Sequence, residues 1–161
     1  MQKLTELGVD AVLLLVADRS VVRWEGGRRD AARTRLERVA REAAMQCRRC
    51  TLPRVEVGVA LADVTAPGGG VALADVAAPG GGVALAHLGG PRPSLDRPCV
   101  LVGPEGGWSD AELSVAPALV GLGSTTLRAE TAAVVAGSLL VALRAGLVAP
   151  GPAEPDNAEG G

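Results

Sequence analysis

Aromatic residues are almost absent from this chain. Its 161 residues include two Trp, Trp24 and Trp108, but no Phe and no Tyr. Nucleic-acid modules that stack bases on ring platforms need several aromatic side chains, so the sequence argues against that class of module. The apolar residues are mostly Ala, Val and Leu, and the hydrophobic fraction is 48%. That fraction excludes a wholly disordered chain, and the length suits one domain.

Cysteines and long apolar runs are also scarce. Cys47, Cys50 and Cys99 are the three cysteines, an odd number that does not suit a disulfide framework. The spacing of Cys47 and Cys50 would suit a metal or redox pair, but Cys47 falls on the apolar face of a predicted helix, which favours a buried cysteine and no metal site. The uncharged stretch 131–143 is too short to cross a bilayer, and no segment has the pattern of a signal peptide. We therefore expect a cytoplasmic protein with no membrane partner.

Three common site motifs are missing as well. The sequence has no Walker loop, no G-x-G-x-x-G fingerprint and no G-x-S-x-G nucleophile elbow. These absences exclude the commonest phosphate-binding and hydrolase sites.

Charge, in contrast, is present but unevenly placed. Residues 1–54 hold 12 Lys and Arg against 7 Asp and Glu, whereas the rest of the chain is acidic. The basic half suggests a face for an anionic partner, although charge alone favours a solvated helix with mixed charges.

Apolar runs and helical periods alternate along the chain, and this alternation predicts an α/β domain with a mainly parallel sheet. Short apolar runs predict strands buried on both faces, and a 3.6-residue period or a capping box predicts helices. The predicted strands are 11–17, 55–59, 83–86, 99–102 and 119–122. The predicted helices end at Gly8, cover 30–49, begin at the Ser109–Glu112 capping box and cover 129–147.

A near-exact repeat interrupts this pattern. VALADVTAPGGG at 59–70 is followed by VALADVAAPGGG at 71–82 and by VALAHLGG at 83–90. Two full copies are too few for a solenoid, so we interpret 59–82 as a duplicated strand-plus-turn insert. The tail 150–161 is rich in Gly, Pro and acidic residues, which predicts disorder. The domain prediction is therefore 1–149 with a tail at 150–161.

Two motifs indicate a small-molecule site. Gly103-Pro104-Glu105-Gly106-Gly107 follows a predicted strand, and its glycines allow a ligand to approach the backbone closely. Leu127–Thr131 places Arg128 and Glu130 in an otherwise apolar stretch, where charges usually pair with each other or serve a site. His87, the only histidine, ends a predicted strand at the edge where parallel sheets bind ligands.

At these motifs the chain resembles the ribosomal RNA small subunit methyltransferase E family of the SPOUT superfamily. The resemblance covers roughly residues 2–147 apart from the insert. The matching residues are Gln2-Lys3, Glu6–Val9, Arg19-Ser20, Ala43-Ala44, Gln46, Arg49 before Pro53, Val102–Gly107, Glu112, Leu122-Gly123 and Leu127–Thr131.

The resemblance implies a parallel sheet flanked by helices with a C-terminal trefoil knot. It implies S-adenosylmethionine (SAM)-dependent methylation of N3 of a uridine in 16S rRNA of the 30S subunit, by a homodimer. It also implies that the chain begins inside the first helix of the catalytic domain and lacks the family's N-terminal PUA-like domain. The alternatives are an inactive cofactor- or RNA-binding remnant of this fold, and a SPOUT methyltransferase that acts on another RNA.

Site residues follow from the same resemblance. Arg128 is expected to stabilise the base or position a phosphate, and Glu130 to orient Arg128 or accept a proton. Arg19 and Arg49 are expected to contact RNA phosphates, together with the arginines of the predicted helix, Arg33, Arg38 and Arg41. Three loops are expected to bind the cofactor through Leu85, His87, Val102, Gly103, Pro104, Glu105, Gly106, Gly107, Leu122, Gly123, Leu127, Arg128 and Thr131.

Overall fold

Strands and helices alternate along the described part of the chain, as the α/β prediction requires. The computed structural model describes residues 1–22, 24, 26–65 and 82–149, so most of the insert and the predicted tail lie outside the described residues. The helices are α1 (Gln2–Leu7), α2 (Gly27–Gln46), α3 (Leu61–Thr65), α4 (Asp110–Ser114) and α5 (Ala129–Arg144). The strands are β1 (Ala11–Val16), β2 (Arg54–Ala60), β3 (Val83–Ala86), β4 (Cys99–Leu101) and β5 (Leu119–Val120).

The described strands form two parallel sheets instead of the single sheet that the sequence predicts. β1 pairs with β2, and β3 pairs with β4 on one edge and β5 on the other. β2 shows the period of two that a strand with one buried face requires, since Val55, Val57 and Val59 are buried and the residues between them are not. β1 is only half-buried along most of its length, so the expectation of a strand buried on both faces is wrong for β1.

The core lies between the sheets and their helices and is built from small aliphatic side chains. Leu85 and Val64 are almost completely buried, and they belong to a cluster with Leu101 and Trp108. On α2 the buried residues are alanines, at 40, 43 and 44, and small side chains let the helix lie close against the sheet.

Four sequence predictions about the elements need correction. Cys47 is exposed, because the buried face of α2 is the alanine stripe and the helix ends at Gln46. Residues 61–65 form helix α3, so the first repeat copy supplies a strand end and a helical turn. β5 and α5 are both shorter than predicted, and Gly146 follows α5 with a φ of 67° that favours glycine.

Arginine side chains fasten the short helix α1 to the rest of the molecule. Arg49 donates hydrogen bonds to the carbonyls of Thr5 (3.1 Å) and Val9 (2.8 Å). Arg144, at the end of α5, donates to the Gly8 carbonyl at 2.9 Å and forms an ion pair with Asp10. A six-residue helix is too short to be stable alone, so these contacts hold it in place. None of the helices in the described ranges is long and apolar enough to cross a membrane.

Candidate active site

The loops that follow β1, β3, β4 and β5 meet at one edge of the molecule. These strands run parallel to their neighbours, and the carboxyl ends of parallel strands lie at the same edge of a sheet. Side-chain and backbone hydrogen bonds described below join the loops to one another. This convergence defines the candidate site, and both motifs singled out in the sequence belong to it.

The glycine-rich loop 103–107 is folded against Trp108. The indole Nε1 donates a 3.0 Å hydrogen bond to the carbonyl of Ala86 at the end of β3, and the side chain is buried. A Cβ on Gly103 would lie 3.1 Å from the indole ring, so a side chain there would push the ring by a few tenths of an ångström. Gly107 has a φ of 70°, and its N–H donates to the Pro104 carbonyl at 2.8 Å, which turns the loop.

The loop after β1 is bound to the same region from the other sheet. Arg19 Nη1 donates to the Gly106 carbonyl at 2.9 Å. The Asp18 backbone N–H donates to Glu112 Oε1 at 2.9 Å, and Ser109 Oγ donates to Asp18 Oδ2 at 2.6 Å. Ser109 and Glu112 also form the predicted capping box of α4, and Glu112 is buried. One carboxylate therefore caps a helix and joins loops of both sheets.

A close backbone crossing joins the loops after β3 and β5. The Gly121 N–H donates to the Pro91 carbonyl at 2.8 Å, and the His87 N–H donates to the Val120 carbonyl at 2.9 Å. A Cβ on Gly90 would lie 2.5 Å from the Val120 carbonyl carbon, and a Cβ on Gly121 would overlap the Gly90 carbonyl. Both positions require glycine because the two backbones touch.

The predicted cofactor residues fall into three groups by exposure. Leu85 is fully buried and its N–H donates to the Ala118 carbonyl, so its side chain lies beneath the site and cannot contact a ligand directly. The half-buried residues are Val102, Gly103, Pro104, Leu122 and Leu127. The exposed residues are His87, Glu105, Gly106, Gly107, Gly123, Arg128 and Thr131.

Open backbone at two glycines fits a ligand held by main-chain groups. A Cβ on Gly107 or Gly123 would meet no heavy atom within 4 Å, and both residues have positive φ values. The backbone is thus uncovered on the glycine-rich loop and on the loop after β5, where the cofactor is expected. The described residues contain no group of three or more His, Cys, Asp and Glu side chains that could hold a metal ion.

Arg128 and Glu130 stand at the start of α5. Arg128 is the N-cap residue, and its side chain makes no capping hydrogen bond. Both side chains are exposed, and within the described ranges no ion pair or hydrogen bond joins them. The structure therefore leaves Arg128 available to a substrate. The expectation that Glu130 orients Arg128 has no supporting contact here.

The two arginines predicted to contact RNA have different surroundings. Arg19 is exposed, although it already binds the glycine-rich loop. Arg49 is only 14% exposed, and it is bound to two carbonyls and lies 3.6 Å from Asp10. Arg49 thus fastens α1 in this structure, and its contact with RNA stays a prediction.

Several residues of the site were missed by reasoning from the sequence. The sequence marks Trp108 only as a rare aromatic residue, and Asp18 only as the boundary of the first apolar run. The glycine pair of the crossing, Gly90 and Gly121, follows two predicted strands, and that placement is the one signal that could have found it. The capping box was recognised, but nothing in its spacing shows that Glu112 also binds the loop after β1.

Comparison with known proteins places this arrangement in a family. Residues 1–141 match the family model for the RNA methyltransferase domain. The chain belongs to the RNA methyltransferase domain family. Over 144 residues it is 35% identical to the ribosomal RNA small subunit methyltransferase E of Mycobacterium bovis and to that of Mycobacterium tuberculosis. The match covers 82% of this chain and 53% of each relative, so the chain spans about half the length of these curated relatives.

Solved structures of similar proteins agree with this family. The ribosomal RNA small subunit methyltransferase E of Neisseria gonorrhoeae bound to SAM is 27% identical, with a TM-score of 0.69 over 88% of this chain and 59% of that one. A methyltransferase of Legionella pneumophila in complex with SAM is 26% identical, with a TM-score of 0.69 over 88% of this chain and 58% of that one. The mixed α/β fold with parallel strands is therefore that of RNA methyltransferases.

Proposed function

We propose that this chain is the catalytic domain of a SAM-dependent methyltransferase that modifies N3 of a uridine in 16S rRNA of the small ribosomal subunit. The observation that carries the proposal is the convergence of loops at one edge, with open backbone at Gly107 and Gly123. Family membership and the relatives named as small subunit methyltransferases support the same activity. The cytoplasm, where ribosomes are modified, is the compartment that this function implies.

The SAM site is proposed to lie between the glycine-rich loop and the loop after β5. Main-chain groups of 103–107 and 122–127 would hold the ligand, and the His87 loop would close one side. The crossing of the Gly90 and Gly121 backbones supports a trefoil knot in this part of the chain, as the resemblance implies. Because two backbones in contact leave little freedom, the crossing would fix the loops before the ligand binds.

For this reaction the chain must position the uridine base and stabilise the negative charge that develops on it. Bound SAM supplies an electrophilic methyl group on a sulfonium. N3 of uridine must lose its proton, to water or to a base, before it can accept the methyl group that SAM would supply. Arg128 would stabilise the negative charge that develops on the base, and Glu130, in the first turn of α5, is exposed as a candidate proton acceptor.

The RNA surface is proposed to include Arg19 and the exposed arginines of α2, which are not equally available. Arg33 donates to Glu37 at 2.9 Å and lies 3.8 Å from Glu56; the Glu37 hydrogen bond and then the Glu56 charge raise the pKa of its guanidinium. Arg38 is 3.9 Å from Glu42. Arg41 has no acidic partner within the described ranges, so its charge is more available to a phosphate than that of Arg33 or Arg38.

A homodimer is proposed as the assembled form. The apolar side chains Val134, Val135, Leu139 and Leu143 of α5 are only half-buried in the single chain. A helix with partly solvent-exposed apolar side chains is typical of a protein–protein interface. Sedimentation of the chain at several concentrations measures this association directly.

Methyl transfer to 30S subunits tests the proposed function. The chain is incubated with methyl-tritiated SAM and 30S subunits that lack N3-methyluridine, or with bulk tRNA, and the RNA is digested and analysed by mass spectrometry. We expect 3-methyluridine in 16S rRNA and none in tRNA. Arg128→Ala should lower the rate roughly 100-fold, whereas Lys3→Ala, on the exposed side of α1, should leave it unchanged.

Three results would contradict the proposal, each in a different way. Methylated tRNA with unmodified 30S subunits would indicate a methyltransferase for another RNA. Calorimetric binding of SAM without transfer to any RNA would indicate an inactive remnant. Absence of SAM binding at millimolar ligand would contradict the cofactor site itself.

A further inference from the structure

The thiols of Cys47 and Cys50 belong neither to the candidate active site nor to the proposed RNA surface. Two residues separate them, a spacing that is typical of thiol pairs that cycle between reduced and oxidised forms. Burial of Cys47 would argue against such a role, but both cysteines are exposed. Cys99 is only partly exposed, in β4. The structure therefore presents Cys47 and Cys50 together to reagents in solution.

The turn after α2 holds the two thiols differently. Cys47 is the C-cap residue of α2, and its thiol donates a 3.7 Å hydrogen bond to the Ala44 carbonyl. The Cys50 thiol makes no hydrogen bond among the described residues. Cys50 can therefore react without first giving up a partner, whereas Cys47 has to release its hydrogen bond.

Arg48 adds a positive charge between the two thiols. Its side chain is exposed and has no acidic partner in the part of the chain that the structure describes. Low-molecular-weight disulfides such as glutathione disulfide carry carboxylates, so an unpaired guanidinium beside the thiols attracts them. Arg48 also has a φ of 58°, a conformation that costs a residue other than glycine energy, so the turn is under strain.

Arg49 connects the same turn to α1. Its N–H donates to the Ala44 carbonyl at 2.9 Å, and its guanidinium donates to the carbonyls of Thr5 and Val9. Arg49 lies inside the ring that a disulfide between residues 47 and 50 would close. No backbone hydrogen bond joins the Cys50 N–H to the Cys47 carbonyl, so these four described residues are not already closed as a turn. A disulfide imposes its own geometry on the ring, and the ring therefore competes with the Arg49 contacts for one backbone conformation.

We propose that Cys47 and Cys50 form a reversible dithiol–disulfide pair, the redox pair, whose oxidation loosens the attachment of α1. The oxidant is a low-molecular-weight disulfide such as glutathione disulfide. The deprotonated Cys50 sulfur attacks one sulfur of the oxidant, whose other sulfur leaves as a thiolate. The deprotonated Cys47 sulfur then attacks Cys50 in this mixed disulfide and releases the second thiolate. In total the two cysteines lose two protons and two electrons, and the oxidant becomes two thiols.

Glutathione buffers test the redox pair in the full chain. The chain is equilibrated without oxygen at several ratios of glutathione to glutathione disulfide. Free thiols are blocked with N-ethylmaleimide, and the denatured chain is digested with trypsin. Because trypsin cleaves after Arg48 and Arg49, digestion separates the two cysteines into peptides 42–48 and 50–54. We expect a disulfide that joins these peptides, in chains with the intact mass of one subunit, and its loss on addition of dithiothreitol.

Serine variants distinguish the two thiols. Cys47→Ser should accumulate the mixed disulfide of Cys50 with glutathione, because no second thiol is present to resolve it. Cys50→Ser should react with glutathione disulfide at least about fivefold more slowly, because the remaining Cys47 thiol has to leave the Ala44 carbonyl. Equal reaction rates of the two variants would overturn the assignment of Cys50 as the attacking thiol.

Amide hydrogen exchange tests the connection to α1. Oxidation should speed exchange of residues 4–9 roughly tenfold, and the same buffer should leave it unchanged in Cys50→Ser. Because coupling is reciprocal, Arg49→Ala should raise the equilibrium constant for disulfide formation roughly tenfold. Arg48→Ala is the matched control, since Arg48 lies between the same cysteines and makes no hydrogen bond to α1 in the described ranges.

The contrary results are distinct. Absence of the joined peptides at every buffer ratio, or glutathione adducts on both cysteines in their place, would overturn the redox pair. Joined peptides found only between chains would overturn it in favour of an intermolecular disulfide. An intrachain disulfide with unchanged exchange in α1, or an equal effect of Arg49→Ala and Arg48→Ala, would overturn the connection to α1. None of these readouts depends on SAM or on methyl transfer.

Discussion

Arg19 could bind an RNA phosphate, because its side chain is exposed, or position the glycine-rich loop, because it donates a hydrogen bond to the Gly106 carbonyl. If this hydrogen bond positions the glycine-rich loop, Arg19→Ala should weaken SAM binding even without RNA. We expect the affinity to fall by roughly tenfold, because one charge-assisted hydrogen bond is lost. Calorimetry with SAM alone measures this, and Arg41→Ala on α2 serves as the control. An unchanged SAM affinity in Arg19→Ala would assign Arg19 to RNA binding only.

Burial raises the pKa of the Cys99 thiol to about 11. At pH 8 a disulfide reagent should therefore modify the exposed Cys47 and Cys50 quickly and Cys99 only after unfolding.

The folded state holds the Cys99 proton more tightly than the unfolded state does, so the stability that this group contributes is lost as pH rises from about 9 towards 11. Urea midpoints at pH 8 and pH 10 should differ less in Cys99→Ala than in the unchanged chain, and an equal pH dependence would contradict this account.

At the scale of elements, the crossing of the loops after β3 and β5 allows no side chain. Gly121→Ala should lower the free energy of unfolding by roughly 1–3 kcal/mol, because its Cβ overlaps a carbonyl of the neighbouring backbone, which cannot move aside cheaply. SAM binding should weaken with it, since the loop is displaced. Gly27→Ala is the matched control, because a Cβ there, in the first turn of α2, meets nothing within 4 Å. Urea unfolding compares the two variants, and equal stabilities would show that the crossing is not rigid.

Most elements could be predicted from the sequence, and their arrangement could not. The apolar run of β1 and the alternation of β2 each carry their own signal, and the capping box marks the start of α4. α3 was missed because five residues are too short for a helical period to appear. The division into two sheets was missed because pairing depends on which strands are adjacent in space, and local pattern does not encode adjacency.

At the scale of the whole molecule, Glu112 is a junction that joins the loop after β1, from one sheet, to α4, which follows the other sheet's strand β4. It accepts hydrogen bonds from the N–H groups of Ser109, just before α4, and of Asp18, in the loop after β1 of the other sheet. Glu112→Ala leaves these donors without a partner and should lower the free energy of unfolding by roughly 1–3 kcal/mol. Asp110→Ala removes an exposed carboxylate from the same turn of α4 and is the control. Faster amide exchange at Asp18 in Glu112→Ala alone would confirm the junction, whereas equal exchange in both variants would contradict it.

The candidate site shows the same limit of sequence reasoning at this largest scale. The glycine-rich loop and Arg128 could be identified because glycines and isolated charges are conspicuous in a sequence. The contacts that assemble them, such as Asp18 with Glu112 across 94 positions, depend on the fold and leave no local trace. Arg49 shows the same limit, because nothing in its local sequence indicates that its guanidinium binds the carbonyls of Thr5 and Val9.

The scarcity of aromatic residues has a practical consequence once Trp108 is placed. With no Phe or Tyr in the chain, its near-ultraviolet absorption and emission come essentially from two indoles. Trp24 lies beside Gly58 of β2, whereas the Trp108 indole is hydrogen-bonded at the base of the glycine-rich loop. The chain thus carries an intrinsic fluorophore next to its own candidate site. In Trp24→Leu the emission would come from Trp108 alone, so a change in its fluorescence would report ligand binding to the loops without any label.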